Sequence, residues 1–402
     1  MKQRYDVVIV GGGMTGLTAA ALLSHGSCAD ALRITVVDAA ARPRFDPAAD
    51  IALRVSAIAA GSADLFDSIG AWDRVLSTRA CPYEHMRVWD GADDPDAPST
   101  LRFDADEFAI RQLGFIVENL LIQDSILRVL DRTDVSLRFD APIQAIDSHG
   151  QSYRLRLEDG RELEADLLVG ADGARSFVRE SAGIAVMRRP YAQTAFVTHL
   201  QPQQPHGATA RQRFLEDGPL GMLPLADGRI SVVWSTTPEI ARQAMNADDA
   251  KLGALLTEAS DEVLGELTAA GPRGTFPLCA QHARNYVLPR LALIGDAAHA
   301  VHPLAGQGAN LGLADASALS TVIEEAIRKG EHPGDRPVLR RYERARKGAN
   351  ATMLHLMTGL NQLFAAASPT LGELRRAGMR LFNVSGPLRE RAVRVALGAG
   401  RH

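Results

Sequence analysis

Residues 295–310 read GDAAHAVHPLAGQGAN, and the segments on either side give this stretch its meaning. An apolar run, Leu291 to Ile294, stops at Gly295-Asp296. Past Gly308 a helical pattern sets in, with Leu319, Val322, Ile323, Ala326 and Ile327 at i, i+3, i+4, i+7 and i+8 and Gly330 as a stop. A buried strand therefore feeds a helix. Glycines at 306 and 308 let the backbone come close to a ligand, and a helix N-terminus offers unpaired N–H groups and positive potential to an electron-rich or anionic group. Read alone, the stretch also fits a plain tight turn.

The same construction opens the chain. Asp6 to Val10 runs into Gly11-Gly12-Gly13-Met14-Thr15-Gly16, Leu17 to Leu23 is strongly helical, and a second strand, Ile34 to Val37, closes on Asp38. That is G-x-G-x-x-G between strand and helix with an acid about 20 residues further on, the dinucleotide fingerprint in its required context. Gly11 and Gly13 permit the turn and the approach of a pyrophosphate, and Gly16 lets helix and strand pack. Asp38 can accept hydrogen bonds from a ribose and would repel a 2′-phosphate. Gly306-Gln307-Gly308 followed by Gly312 imitates a second fingerprint, but Pro303-Leu-Ala stands where its strand should be. A separate Rossmann domain for a second dinucleotide is therefore not expected.

Between these motifs, Arg54-Val55-Ser56 precede a helical pattern with Ala57, Leu65, Phe66 and Ile69. Met86 to Phe103 is strand-like, broken by a polar loop at 93–98. Val117 to Leu130 reads as a helix with Gln123 near its start, and strands follow at Ser136 to Phe139, at Tyr153 to Leu157 and after the turn Glu158-Asp159-Gly160. Leu167 to Val169 breaks into Gly170-Ala-Asp172-Gly173-Ala-Arg175-Ser176, where Asp172 either caps a helix or faces a ligand. From about Val186 to Pro277, strands at Thr194 to Leu200, Gln212 to Leu215 and Ile230 to Ser235 are interrupted by one helix, Asp248 to Leu267. This predicts an α/β chain with an inserted antiparallel domain. The expected division is 1–78, 104–182 and 280–335 for the dinucleotide domain, 79–103 and 183–279 for the inserted sheet, and 336–402 for a basic helical end.

An apolar fraction of 46% over 402 residues fits a globular protein, and Cys28, Cys81 and Cys279 form no CxxC, which speaks against disulfides or a cysteine zinc site. His299 and His302 lack a third ligand nearby, so no metal is expected. The N-terminus imitates a signal peptide but is interrupted by Asp6, and no apolar run nears the roughly 18 residues of a spanning helix. A cytoplasmic protein, neither secreted nor integral, is expected. Residues 336–402 hold thirteen Lys/Arg against three Glu, a net +10, which leaves −14 on the rest of a chain whose total is −4. By charge alone such a tail would be drawn to an anionic surface, membrane or nucleic acid. On a helical wheel Leu371, Leu374, Gly378, Leu381 and Phe382 share one face opposite Arg376 and Arg380; such a helix packs on the protein or lies on a bilayer, and packing is the expectation.

Taken in order, G-x-G-x-x-G, Arg54, G-A-D-G-A-R-S at 170–176 and G-D-A-A-H-x-x-x-P-x-x-G-x-G-x-N at 295–310 resemble the single-component FAD-dependent aromatic hydroxylases. Within them, Arg54-Val-Ser-Ala-Ile58, Glu118-Asn119, Tyr191-x-Gln193-x-Ala195, Gly218-Pro219 with Leu223-Pro224-Leu225, and His302-Pro-Leu-Ala-Gly-Gln-Gly308 resemble the branch that hydroxylates ubiquinone precursors. The likeness continues to Leu360-Asn361-x-x-Phe364.

The resemblance implies a para-hydroxybenzoate hydroxylase-like fold with FAD as cofactor and NAD(P)H as electron donor. Gly11, Gly13, Met14, Thr15, Gly16 and Asp38 would hold the ADP half. Arg54 and Gln123 would reach the pyrophosphate and ribityl region, and Asp172 and Arg175 would lie near the pyrophosphate and the nicotinamide donor. Gly295 and Asp296 would meet the ribityl chain, Pro303 the isoalloxazine edge, and Gly306, Gln307, Gly308, Ala309 and Asn310 the N1–C2 carbonyl end. The implied chemistry is hydroxylation of a prenylated phenol by O₂ through a flavin C4a-hydroperoxide. Tyr191, His199 and Gln193 are candidates for drawing off the phenol proton by chemistry alone. A membrane-borne substrate gives the basic tail a reason: peripheral attachment to the inner face of the cytoplasmic membrane, within a ubiquinone-biosynthesis complex and without nucleic acid. The alternatives are a hydroxylase of soluble phenols and a non-catalytic flavin-binding component of a biosynthetic complex.

Overall fold

The computed structural model describes residues 2–302, 304–365 and 369–398. Its first sheet grows around Lys2–Val10, whose Val7, Val8 and Ile9 are fully buried. That strand pairs in parallel with Ile34–Val37 on one side and Glu162–Gly170 on the other, Val8 lying opposite Thr35 and Leu168. Strands covered on both faces show no alternation, so they read as continuous apolar runs. Leu291–Leu293 joins Glu162–Gly170 in parallel, and Ser136–Arg138 joins Ile34–Val37. Because Lys2–Val10, Glu162–Gly170 and Leu291–Leu293 run the same way, the turns that follow them leave the same edge, the usual place for a ligand in such a sheet. Met14–His25 and Gln307–Arg328 pack together beside the sheet, the latter burying Leu319, Val322, Ile323 and Ala326.

The second sheet has the order His299–Ala300, Leu267–Ala283, Val186–Pro202, Ile230–Thr236, Gly218–Pro224, Thr209–Leu215, His85–Asp90, Leu101–Asp104. It is antiparallel except where Thr209–Leu215 runs parallel to His85–Asp90. The helix expected from Asp248 to Leu267 ends at Ala259, as Asp249–Ala259 capped by Asp248, and an unexpected helix, Pro238–Asn246 capped by Thr237, precedes it. Leu267 begins a 17-residue strand that Gly271, Pro272, Gly274 and Pro277 disguise. Its register against Val186–Pro202 shifts between Thr198 and Leu200, so Pro272 sits in a bulge and costs no ladder bond.

A third, three-stranded sheet was not expected: Val55–Ala59 and Cys81–Tyr83 both pair with Gly114–Glu118. Ala57 therefore lies on a strand, not a helix, and the helix expected from Val117 starts at Asn119. Neither strand exceeds five residues, too short for a period to emerge, and each exists because of distant partners.

The chain ends in helices Arg336–Ala365, Pro369–Asn383 and Pro387–Ala396. Much of their charge is spent on the acidic body: Arg341 pairs with Glu331, Arg346 with Asp315, Arg375 with Asp90, Arg376 with Asp93 and Arg389 with Glu107. The helix Pro369–Asn383 turns Arg375 and Met379 inward and leaves Leu371, Leu374 and Leu381 exposed, so of the large apolar residues expected to pack only Phe382 lies against the protein. Among the described residues no helix is long and apolar enough to cross a membrane.

Candidate cofactor and substrate cavity

A cavity of ≈ 1390 Å³ runs along the edge where the three turns emerge. Gly11 makes the first turn at φ +115°, and a Cβ there would lie 2.3 Å from the Ala171 carbonyl oxygen. One at Gly16 would lie 2.0 Å from the Gly11 oxygen, so the helix is pressed onto the turn. Gly13 is the helix N-cap without a side-chain cap, and a Cβ on it would meet nothing within 4 Å. Its backbone, with Met14 and Thr15, faces the cavity and supplies free N–H donors. Asp38 accepts from Gly12 N (2.5 Å) and Ala40 N (2.7 Å), which fixes its carboxylate at the cavity wall, and Gln123 Nε2 donates to the Gly12 oxygen at 3.3 Å.

Across the cavity, Asp172 accepts from Ser176 Oγ (2.5 Å) and Val178 N (3.0 Å), bracing the start of the helix Phe177–Ser181 while lining the wall. Burial raises its carboxyl pKa, with those hydrogen bonds opposing. Gly173, at φ +80°, leaves open space where a side chain would be. Arg54 and Arg175 reach the same wall without an acidic partner among the described residues, the Arg54 guanidinium lying 5.4 Å from the centre of the Phe276 ring.

At the far end, Gly306 caps Gln307–Arg328 at φ +62°, where a Cβ would crowd that of Ala57 at 2.8 Å. Gly308 faces open space, and Gln307, Ala309 and Asn310 line the same wall. Asn310 donates from Nδ2 to the Ala57 oxygen (2.9 Å) and accepts from Ala59 N (3.0 Å), stitching the helix start to the short sheet. Asp296 projects into the cavity with protein around it; burial raises its pKa, with His299 and Arg54 opposing. Pro303 lies outside the described residues.

Gly295 sits behind the wall and donates to Asp315 Oδ2 at 3.1 Å. Asp315 is fully buried and also binds His299 Nε2 (2.5 Å), Arg346 Nε (2.7 Å) and Asn350 Nδ2 (3.0 Å). Burial alone would raise its pKa, but His299, Arg346 and Asn350 together hold it below the usual carboxylate range. Asp315 thus braces the turn that carries Gly295 and the G-D-A-A-H histidine, His299, against the helix Arg336–Ala365.

Beyond the Gly306 loop the cavity wall is mainly apolar, with Met86, Phe103, Leu223, Val233, Phe382 and Val393, and carries Arg211, Gln212 and Ser235 among them. Tyr83 stands at the junction, its ring on Gly114, where a Cβ would come 2.9 Å from the Tyr83 hydroxyl. Burial pushes the Tyr83 phenol up to about 12, so it stays an uncharged O–H at neutral pH. The three candidates for a proton acceptor lie off the wall. Tyr191 is bonded to Thr358 Oγ1 (2.8 Å), Gln193 Oε1 accepts from His302 Nε2 (3.2 Å) and Asn361 Nδ2 (3.1 Å), and His199 is fully buried.

Residues 4–356 match the family described as FAD binding domain. The chain belongs to that family. It is 36% identical over 402 residues to 3-demethoxyubiquinol 3-hydroxylase of Escherichia coli strain K12, with 99% of each chain covered. To ubiquinone hydroxylase UbiL of Rhodospirillum rubrum it is 36% identical over 398 residues, covering 98% of this chain and 89% of the relative. Among solved structures, PqsL of Pseudomonas aeruginosa, described as a probable FAD-dependent monooxygenase, superposes with a TM-score of 0.77 at 23% identity, covering 94% of this chain and 99% of that one; this is a likeness of fold. This member of the FAD-binding-domain family is an FAD-dependent monooxygenase.

The cavity passes a direct test for FAD. Backbone at Gly13, Gly173 and Gly308 faces empty space, two unpaired arginines flank it, and a carboxylate stands at the end of the second strand. Sequence reading of this family member missed Tyr83 and the apolar lining, which belong to short strands and late helices with no motif of their own. Ser56, Glu118 and Asn119 are marks of family likeness in the sequence, with no role legible there. Ser56 Oγ donates to Asn119 Oδ1 at 2.6 Å, and Glu118 Oε1 accepts from Ala52 N at 2.7 Å, so they shape the segment that carries Arg54.

His302 carries a pH dependence. Burial lowers its pKa from 6.5 to about 4, so the unfolded chain binds a proton that the folded one refuses between those values. Stability is then full above pH 6.5 and declines as pH falls toward 4, by roughly 3 kcal/mol in total. Urea midpoints measured across this range should fall less steeply for His302→Gln; parallel curves would contradict the assignment.

Proposed function

We propose that this monooxygenase hydroxylates the ring of a polyprenylated phenol in ubiquinone biosynthesis, with NAD(P)H as electron donor and O₂ as oxidant. The observation that carries the reading is one continuous cavity that begins as a nucleotide cradle and ends as an apolar chamber. The names of the relatives support the same substrate class. We propose the domain division expected from sequence, the two larger sheets being the cofactor and substrate layers.

In this reading Gly11, Gly13, Met14, Thr15, Gly16 and Asp38 hold the ADP half of FAD. Arg54, Gln123, Asp172 and Arg175 serve the pyrophosphate region and Asp296 the ribityl chain, Gly295 acting from behind the wall by carrying the turn. Pro303 and Gly306 to Asn310 face the isoalloxazine. FAD supplies the two-electron reduction and the activation of O₂. The chain's own contribution is orientation, exclusion of water by the apolar wall, and helix-terminal N–H groups at 306–308 aimed where negative charge develops. The Tyr83 O–H orients the ring oxygen of the substrate. Tyr83→Phe is expected to lower kcat/KM roughly 10-fold with flavin content unchanged; unaltered kinetics would remove Tyr83 from the substrate site.

Being drawn to a membrane-borne substrate, the protein works at the inner face of the cytoplasmic membrane and beside other enzymes of the pathway. The deciding experiment is NAD(P)H oxidation by the FAD-loaded protein with added phenols, followed by product mass. Stimulation by a prenylated phenol, with one oxygen gained, is expected. Stimulation by soluble phenols alone would overturn the substrate, and no stimulation by any phenol would overturn the reaction.

A further inference from the structure

Among the described residues, exposed large apolar side chains concentrate in the C-terminal helices: Leu356 and Leu363 on Arg336–Ala365, Leu374 and Leu381 on Pro369–Asn383, and Val384 just beyond. Leu374, Leu381 and Val384 are 68%, 69% and 79% exposed. A helix on a water-soluble body normally turns its apolar stripe inward. Here the inward side carries Met379 and Phe382 together with polar anchors: Arg375 on Asp90, Arg376 on Asp93, and Asn383 Nδ2 on the Thr100 oxygen at 2.7 Å. The leucines are left outside, and such a contiguous apolar face marks an interaction site.

Two further features decide what covers it. Arg380 on Pro369–Asn383 and Arg391 on Pro387–Ala396 stand exposed with no ion pair among the described residues, whereas the inward arginines are neutralised by body acids. The helix that displays Leu374 and Leu381 also walls the cavity through Phe382, and the following segment does so through Val393 and Leu397. Leu381 and Phe382 are consecutive, so the outer apolar face and the inner lining are two sides of one helix. A protein seated on the face would seal the outside of that wall. A bilayer would instead offer apolar medium to a chain leaving the cavity and anionic headgroups to the two free arginines.

We propose that Leu374, Leu381 and Val384 insert into the interfacial layer of an anionic phospholipid bilayer, and that an apolar substrate tail passes between helices Pro369–Asn383 and Pro387–Ala396 into the cavity. This rests on the polyprenyl-substrate reading for the tail, but not for the lipid contact. The cationic tail as a whole is not the attachment: five of its thirteen cations are paired with acids of the body, and the exposed Arg336, Arg340 and Arg344 stand on the helix Arg336–Ala365, which does not carry Leu374, Leu381 or Val384.

The test uses the full-length, FAD-loaded protein and the variant Leu374→Ser/Leu381→Ser/Val384→Ser, compared by co-sedimentation with phosphatidylcholine–phosphatidylglycerol vesicles. Turnover is followed with a long-chain prenylated phenol in those vesicles and with an unprenylated phenol in buffer. The variant should lose vesicle binding by ~10-fold or more, lose vesicle turnover in step, and keep turnover in buffer. A second variant, Arg380→Glu/Arg391→Glu, should lose binding to the anionic vesicles and little to pure phosphatidylcholine. Unchanged vesicle binding in the leucine variant overturns the proposal. So does a native protein that elutes from gel filtration as an oligomer which the variant breaks while vesicle binding persists, since the face would then be a contact between copies. If the native protein binds vesicles but turns over neither phenol, the substrate reading fails and the lipid contact stands.

Discussion

A Gly13→Asp variant is expected to fold at least as well as the native chain and to purify without flavin. The position is the N-cap of the helix Met14–His25, with extended backbone at φ −74° and no side-chain cap, where aspartate is among the preferred residues. Nothing lies within 4 Å of the Cβ it would add, so no clash opposes the change. The same openness is what condemns the site: a carboxylate would project to where a pyrophosphate must lie. Two like charges about 4 Å apart repel by about 4 kcal/mol at an effective dielectric of 20, roughly a thousand-fold in Kd. Absorbance of the purified protein and its thermal midpoint should therefore move in opposite senses. A yellow variant with native FAD affinity would mean that the cradle at 11–16 does not hold the pyrophosphate.

The second large effect is on the buried brace behind the cavity wall. Asp315→Ala is expected to cost roughly 3–5 kcal/mol in urea denaturation, because it leaves the Arg346 guanidinium in the interior without its partner. It also strips an acceptor from Gly295 N and from His299, so the turn that presents Asp296 loses its support. Asp315→Asn should recover part of the loss, since one carbonyl oxygen can still accept. A cost below about 1 kcal/mol would show that the pair behaves as if solvated.

How much of this was readable beforehand depended on the range of the interaction concerned. The strands at Lys2–Val10 and Leu291–Leu293 and the helix Gln307–Arg328 carry their own apolar pattern and their own glycine punctuation, so sequence placed them within a few residues. The short strands Val55–Ala59 and Cys81–Tyr83 exist only because Gly114–Glu118 lies between them, and no local pattern announces that. Leu267–Ala283 was hidden by prolines that a bulge accommodates. For the site, the glycine-rich turns were legible because close backbone approach demands a particular residue type. The apolar chamber was not, since any large apolar side chain serves there and its contributors come from three distant parts of the chain. The helix Pro369–Asn383 misled in an instructive way: its wheel separates leucines from arginines, but Arg375 and Arg376 found acids of the body, and the leucines were left outside.

That last arrangement bears on how the molecule is completed. The final helices are synthesised after both sheets, yet they bring Arg346 to Asp315, Arg375 to Asp90, and Val393 and Leu397 to the chamber. A chain still short of its C-terminus can form the nucleotide cradle but holds two acids awaiting counter-charges and a chamber open on one side. Removing the residues from Arg336 onward would accordingly damage the interior rather than trim a surface appendage.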